Sequence, residues 1–324
     1  MESVRTLVKT SFWGICALCV RDNLRTWWRF RSGDIETGSG MAHAGKSVDS
    51  SLRYIEEVYA DYKRYSGVER FYGRVAEVGP GDNCGVGLMF LADGCEAVEL
   101  VDRFYSRRDS ERNANIYRAL IASNAQLSVR YRSVDGADEA SFWELRRHYG
   151  NSASAERFFE HSKGYDFIVS RAVLEHVIDP KLALRRMAEA LNPGGILLHK
   201  VDLRDHETFS RWFHELKFLE VPDWLYPWMT RNAGGPNRVL VQEYRLVLRD
   251  VLPDHEILVT RLAGAGDVDP HLPYEQISDS LKAKSLTFVR SVRHRFAKSL
   301  RSISDEDLSI AGIFIVARKP SLRG

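Results

Sequence analysis

Long apolar runs are missing from this sequence. The best of them, FWGICALCV from Phe12 to Val20, is far short of the ~20 residues that a membrane-spanning helix needs. Arg5, Lys9, Arg21 and Arg25 flank it, and no small-residue cleavage site precedes the charged RDN that follows, so a signal peptide is a poor fit. Cysteine is equally scarce. Four in 324 residues supply no disulfide framework. The CxxC of Cys16 and Cys19 has neither a second pair nor a histidine partner, which argues against zinc and makes a reducing, cytoplasmic setting the expectation. An excess of one charge is absent too, since 46 Lys+Arg face 44 Asp+Glu for a net charge of +2. That balance gives no reason to expect a protein that coats nucleic acid. No internal repeat is visible. What is present, 44% apolar and 28% charged residues, suffices for one large domain with insertions or an appended segment.

The N-terminal apolar segment admits three readings. It is a helix packed on the domain, an interfacial helix on a membrane with Trp13, Trp27 and Trp28 at headgroup depth, or a dispensable leader ahead of a natural start at Met41. Residues 32–47 are rich in glycine and serine, lack periodicity, and read as a linker between a helical extension at 1–31 and a main domain at 48–324. Gly40 to Ser47 spells G-M-A-H-A-G-K-S, a literal phosphate-loop pattern. Such a loop needs a buried strand immediately before it, and the polar SGDIETGS is not one. On this reading, deleting Met1 to Gly40 leaves a ligand site in the main domain intact.

From Asp49 the spacing of Leu52, Ile55, Val58, Tyr62 and Tyr65 predicts a helix that Gly67 stops. Downstream, RVAEVG, AVELVD, LSVRYRSV, YDFIVS and GGILLHKV are short apolar runs, mostly separated by helix-length stretches. PKLALRRMAEALNPGG is the clearest helix. Such alternation predicts an α/β fold, with a doubly wound, mainly parallel sheet covered on both faces. Past Asp205 an aromatic-rich stretch precedes a helix-like VLVQEYRLVLRDVLP, a strand-like EILVTRL and a final strand-like IAGIFIVARKP.

Ligands of open α/β sheets sit at the carboxyl ends of the strands, where the strand order reverses. In RVAEVGPGDNCGVG the glycines are Gly79, Gly81 and Gly85. The spacing is therefore G-x-G-x-x-x-G, and Cys84 occupies the third-glycine position of dinucleotide enzymes. Glu77, just before the first glycine, would repel a pyrophosphate but suits a cationic ligand. AVELVD ends in Asp102, placed to accept hydrogen bonds from two ribose hydroxyls. On these residues the chain resembles the class I S-adenosylmethionine-dependent methyltransferases. AEVGPGDNCG is similar to their glycine-rich first motif, Asp102 to their ribose acid, and SVDGAD, with Asp135 and Gly136, to their adenine loop. YDFIVSRAVLEHVIDPKLALRRMAEALNPGGILLHKVDLRDH resembles their fourth-to-fifth strand region. The resemblance runs from about Arg74 to His206. It implies a seven-stranded, Rossmann-like methyltransferase fold with the last strand antiparallel, and S-adenosyl-L-methionine as cofactor. It also implies Glu77, Gly79, Gly81, Gly85, Asp102, Asp135, Gly136 and Ser170 as the residues that hold the cofactor.

Methyl transfer from a sulfonium is an in-line displacement, so alignment supplies much of the acceleration. A hydroxyl acceptor gains further from a base. The base is expected near the carboxyl ends of strands four and five. There LEHV offers Glu175 and His176, and HKVDLRDH offers His199, Asp202, Asp205 and His206. His199 lies inside the strand and reads as a core residue. His206 follows the strand and is the expected base, with Asp202 and Asp205 to orient its ring and His176 as the alternative. Quinone-forming O-methyltransferases resemble this chain at LEHV and use an acid-x-x-Glu-His cluster for a metal. Ala172 stands at the first acidic position here, so no metal is expected. The Asn/Asp-Pro-Pro-aromatic signature of amino-methylating nucleic-acid enzymes is missing, with SRAV in its place, which argues against DNA adenine as substrate.

A lid insertion is expected at about 207–236. It concentrates Phe209, Trp212, Phe213, Phe218, Trp224, Tyr226 and Trp228, and Arg231 and Arg238 follow. Flat apolar faces beside cations suit a sugar or a lipid-linked, phosphate-bearing acceptor. A second insertion, at about 270–305, places Leu286, Val289, Val292, Phe296 and Leu300 on one helical face, with Arg290, Arg293, Arg295, Lys298 and Arg301 on the others. That is the pattern of a solvated surface helix, or of a basic amphipathic helix on an anionic membrane. The sequence thus points to a cytoplasmic methyltransferase that O-methylates a small-molecule, sugar or lipid-linked glycan acceptor, with peripheral membrane contact and self-association left open. Carbon methylation of a quinone-like lipid is the rival enzyme reading. A catalytically silent cofactor-binding module is disfavoured by the candidate bases, and a nicotinamide dehydrogenase by the glycine spacing.

Overall fold

Eight strands form the central sheet of this computed structural model, which describes residues 10–131 and 139–321. In chain order they are β2 (Arg74–Val78), β3 (Ala97–Asp102), β5 (Leu145–Tyr149), β6 (Tyr165–Arg171), β7 (Leu191–Asp202), β8 (Asp254–Leu262), β9 (Gly266–Leu272) and β10 (Ile310–Arg318). Their spatial order is β5-β3-β2-β6-β7-β10-β8-β9. The first five run parallel, and β10 runs antiparallel to both β7 and β8. The expected seven strands with an antiparallel last strand are therefore present. An eighth, β9, is added at the edge as the return arm of a hairpin with β8. From β2 the chain first builds outward to β3 and β5, then returns to add β6 and β7 on the other side. The switch point lies between β2 and β6, where a parallel sheet opens a crevice.

Period-two alternation along β2 sends Val75 to one core and Ala76 and Val78 to the other. The first core lies under α2 (Val48–Ser66), α3 (Gly85–Asp93) and α4 (Ser110–Ser123), and the second under α7 (Pro180–Ala190) and α9 (Val241–Val251). Local signals set the helix ends. Ser47 Oγ accepts from Ser50 N at 3.2 Å to start α2, and Gly67, at φ 67, ends it in the left-handed conformation. Asp179 Oδ1 accepts from Leu182 N at 3.0 Å to start α7.

The third strand is not in the described part of LSVRYRSV, residues 127–131, and the rest of that run lies outside the described residues. Ala125–Arg130 is a short helix, α5, and the strand is β5, LRRHY. As a sheet edge, β5 exposes Arg146 and Arg147, so it carries no continuous apolar run. Leu127 and Tyr131, four residues apart, are buried on the helical side instead.

The N-terminal extension is part of the fold. Helix α1 (Phe12–Arg31) buries Ile15 and Cys16 in a third core with Phe209, Phe218, Tyr226 and Met229 of the expected lid. Residues 32–47, expected as a linker, are tied down along their length. Glu36–Thr37 (β1) pairs with Tyr105–Ser106 (β4). Gly40 O then accepts from Asp82 N at 3.2 Å. Lys46 Nζ of the phosphate-loop look-alike lies 4.3 Å from the Tyr54 ring centroid, and its Ser47 caps α2. The basic insertion also turns its apolar side inward. Helix α10 (Asp279–Val292) and the turns after it bury Val289, Val292, Phe296 and Leu300 in the third core. Arg290 and Arg293 pair with Asp305. With that face used inside the protein, a membrane-lying role for this helix is overturned.

Candidate functional site

Chain geometry at the switch point excludes side chains. Gly79 and Gly81 have φ of 74° and 67°, a region that non-glycine residues seldom occupy. A Cβ on Gly79 would stand 2.3 Å from Val173 Cγ2, and one on Gly81 would stand 2.6 Å from Gly40 O. Residues of α4 and the loop before it hold the turn. Asn113 Nδ2 donates to Asp82 O at 2.7 Å, and Tyr117 Oη accepts from Cys84 N at 3.0 Å. Arg108 Nη2 donates to Gly81 O at 3.2 Å and to Tyr149 Oη at 2.7 Å. Sequence reasoning passed over Arg108, Asn113 and Tyr117, because no motif marks a residue whose work is to pin a distant turn.

A cavity of about 320 Å³ lies against Gly79 and Gly81. Asp102 at the end of β3, Phe104, Val173 and the 37–40 strap also wall it. A smaller pocket of about 60 Å³ adjoins it past Asp102, lined by Phe104, Ala153, Ser154 and Val177. Asp102 Oδ1 accepts from Phe104 N at 2.9 Å. Burial pushes its carboxyl up to about 6, against the pull of the Phe104 N–H and the charge of Arg108.

Other residues expected at the cofactor fall elsewhere. Glu77 points to the α3 side of the sheet, its Oε2 buried without a partner and 3.6 Å from where a Cβ on Gly87 would be. Burial pushes its carboxyl up to about 8, which weakens the negative strand end expected there. Gly85 is a packing glycine, since a Cβ there would lie 2.3 Å from Ile55 Cδ1 of α2. Ser170 Oγ meets His199 Nδ1 at 2.8 Å, both fully buried in the sheet and away from the cavity. His199 is thus a core residue, its basicity pushed down to about 3 by burial. Asp135 and Gly136 lie outside the described residues.

The far wall of the cavity carries the candidate bases. His176 closes a short turn after β6, and its Nδ1–H donates to Gly234 O at 2.7 Å, which leaves Nε2 with the lone pair. Burial pulls its basicity down. The His206 ring stands 4.7 Å from that of His176, on a backbone at φ 48°. Its Nε2 lies 3.4 Å from Oε1 of the buried Glu175. Desolvation lowers the His206 pKa, but the hydrogen bond and charge of Glu175, with the charge of Asp202, outweigh it and leave the ring above the usual histidine value. Neither expected orienting acid touches the ring. Asp202 is held by Arg204 at 2.8 and 2.7 Å. Asp205 accepts from Phe209 N, Ser210 N and Ser210 Oγ, at 2.7, 2.8 and 2.5 Å, and caps that turn. Glu175 takes their place.

Outside the cavity a cleft of about 640 Å³ is lined by polar and charged side chains, among them Arg204, His206, Ser210, Arg211, Glu215 and Arg261. His206 belongs to both walls. Among the described residues, Glu175, His176 and His206 also form a group that could hold a metal, their ligand atoms within 4.8 Å of one another. Ala172 removed one ligand in the sequence reading, and the fold brings in His206 as another. An ion would need all three drawn to ~2.0–2.2 Å of one point, in competition with the contact between His206 and Glu175.

A glycine turn at the switch point, with an acid closing the neighbouring strand, is an arrangement that nucleotide-like cofactors share, and the cavity residues fit S-adenosylmethionine. The chain belongs to the methyltransferase-domain family, whose model matches residues 52–235, more than half of its length. Its cofactor is S-adenosylmethionine. No curated protein matches the chain. Among solved structures it is similar to Haemonchus contortus phosphoethanolamine N-methyltransferase 2 in complex with S-adenosyl-L-methionine, at 15% identity and a TM-score of 0.42, over 82% of this chain and 53% of that one. It is also similar to the CurJ carbon methyltransferase (15% identity, TM-score 0.38, 87% and 58% of the two chains). A third is the YcgJ protein from Bacillus subtilis (13% identity, TM-score 0.39, 82% and 100%). The chain spans about half the length of the Haemonchus contortus protein.

The strap reverses the expectation that residues 1–40 are dispensable. Removing them uncovers Phe209, Tyr226 and Met229 and takes away a cavity wall. Each fully buried apolar side chain contributes ~1.5–3 kcal/mol, against a total stability of about 5–15 kcal/mol. The shortened protein is expected to unfold at lower temperature and to lose S-adenosylhomocysteine binding in calorimetry. Unchanged affinity would return the strap to linker status.

Proposed function

We propose that this protein transfers a methyl group to a hydroxyl of a polar acceptor, a sugar or glycan seated in the charged cleft, with His206 as the base. One observation carries the reading: His206 stands in the wall of both the cofactor cavity and the cleft, where a proton acceptor between two substrates is needed. Bound S-adenosylmethionine supplies an electrophilic methyl on a sulfonium. The chain's residues do the rest. Gly79 and Gly81 admit the ligand to the backbone, Asp102 accepts from the ribose hydroxyls, and the pocket of Phe104, Ala153 and Val177 receives the adenine. Glu175 accepts Nε2–H of His206, which leaves the Nδ1 lone pair to receive the hydroxyl proton. Arg211 suits an acceptor with many hydroxyls or an anionic group, beside Arg204 and Arg261, which pair with Asp202 and with Glu215 and Asp267, and a lining this polar suits a flat quinone-like lipid poorly.

Methyl transfer from labelled cofactor to a panel of sugar nucleotides and glycans tests the acceptor, with O-methyl products expected. A product methylated only on carbon would overturn the reading. Chelation of divalent ions is expected to leave the rate unchanged, and a loss restored by added metal would instead make Glu175, His176 and His206 ligands. For Asp102, a hydrogen bond to a charged acceptor contributes ~1.5–3 kcal/mol. Asp102→Asn should therefore weaken S-adenosylhomocysteine binding by about tenfold to a hundredfold. Because the carboxyl sits near 6 and accepts best when ionised, wild-type affinity should fall as the pH drops through that value. An affinity flat across it would take Asp102 out of the site.

A further inference from the structure

Tryptophan is the residue this protein leaves outside. The sequence has seven, and every one is exposed, from 37% for Trp27 to 77% for Trp143. Buried or half-buried indoles are the norm. Six of the seven, all but Trp143, lie on two segments that pack on each other, α1 and the stretch from 207 to 236. The contact is direct. Lys217 Nζ lies 4.9 Å from the ring of Phe12 and 5.2 Å from that of Phe213. Asn23 Oδ1 accepts from Asn232 N and Ala233 N at 2.6 and 3.1 Å.

Helix α1 carries two apolar stripes. One, with Phe12, Ile15, Cys16 and Cys19, enters the third core. The other is Trp13, Ala17, Leu24 and Trp28, spaced four, seven and four residues apart along one helical face, and all four are exposed. A helix that only covers a core has no use for the second stripe. Cations border it. Arg25 is exposed beside it, as is Arg21, which also pairs with the exposed Asp22 at 2.9 Å; Arg31 stacks 4.7 Å from the ring centroid of Trp27, and Arg211 lies 5.5 Å from that of Trp212. Among the described residues no helix is long and apolar enough to cross a membrane.

We infer that this tryptophan face, on α1 and the 207–236 segment, docks onto the surface of an anionic lipid bilayer. Indoles, apolar in body and polar at the N–H, partition to the boundary between acyl chains and headgroups. Guanidinium groups beside them meet the anionic headgroups. Charge complementarity commits the face to lipid, because a stripe of indoles edged by arginines matches the layers of a membrane surface. The polar cleft is close by in the chain, Ser210 and Arg211 of its lining preceding Trp212 and Phe213. Docking of this face does not depend on which acceptor the cleft takes.

Sedimentation of the full chain with vesicles of phosphatidylcholine, alone or mixed with phosphatidylglycerol, is the test. Binding to the mixed vesicles is expected, weakened by salt, with a blue shift of tryptophan emission. Trp13→Ser with Trp28→Ser should lower vesicle affinity by about tenfold or more, with S-adenosylhomocysteine binding unchanged as the check on folding. Arg21→Glu with Arg25→Glu should also weaken it and flatten the salt dependence. No binding of the wild-type protein to either vesicle, or equal binding by the tryptophan variant, overturns the proposal. A tryptophan variant that instead turns a dimer into a monomer also overturns it, by making the face a contact between copies. Failure of the wild type to bind S-adenosylhomocysteine would count against the cofactor site and leave the vesicle result standing.

Discussion

His206→Ala is expected to lower kcat by about 10²–10⁴ while S-adenosylhomocysteine affinity stays level. The separation follows from position. His206 lines the charged cleft and shares only one wall of the cavity, whose hold on the cofactor is proposed to come from the glycine turn and Asp102. The pH profile adds a second readout. Burial alone would pull the His206 pKa down, but Glu175 and Asp202 leave it above the ordinary histidine value. A base works when neutral, so the ascending limb of the rate should lie above the reference of about 6.5. Glu175→Gln removes the largest upward contribution and should bring that limb down. A limb that stays in place after this substitution would mean Glu175 does not act on the base. Near-normal turnover by His206→Ala, with a collapse in His176→Ala, would move the base to His176.

Gly79→Val should abolish cofactor binding, a loss of more than about a hundredfold. The position is at φ 74°, its Cβ would collide with Val173, and both residues wall the cavity. A double variant, Gly79→Ala with Val173→Ala, relieves that collision and is expected to recover part of the affinity if the fault is occupied space. Gly85→Ala is the contrast. Its Cβ meets Ile55 of the helix above, so the melting temperature should fall while the folded protein binds as before. If Gly79→Val folds and still binds, the turn is structural only.

These two glycines show where the sequence could be read and where it could not. A tight turn after an apolar strand is a local pattern, so the turn that walls the cavity was legible from RVAEVGPG. Which face of the turn each glycine serves depends on α2, whose Ile55 comes earlier in the chain, and no spacing rule carries that. The same divide explains the strands. β2, β3, β6 and β7 lie inside the sheet and leave mostly apolar runs, whereas β5 lies at the edge, and its exposed arginines hid it. For the candidate base, the structure supplies a different neighbour from the two acids that the sequence suggested. Asp202 and Asp205 are near His206 in sequence, but one is held by Arg204 and the other caps a turn. Glu175 arrives from the neighbouring strand's end, and its orphaned, buried Oε2 had no signature in LEHV beyond the letter itself. The strap was missed because its links to Asp82 and Ser106 are backbone and hydroxyl hydrogen bonds, which leave a glycine- and serine-rich stretch looking like any linker.

The strap also makes the state of the cavity visible to a protease. Thr37, Ser39 and Gly40 form one wall, while Gly79 and Asp102 form another, so a ligand touching both stitches an early stretch of chain to the body of the sheet. Cleavage between residues 33 and 45 requires the strap to lift, and a lifted strap has lost part of the ligand's contacts. At a ligand concentration of 100 times Kd, the lifted state costs up to about 2.7 kcal/mol more, so nicking there should slow by up to about a hundredfold when opening is fast relative to cleavage. The rate of one cut near the N-terminus thereby reports occupancy of a pocket whose other residues lie far along the chain.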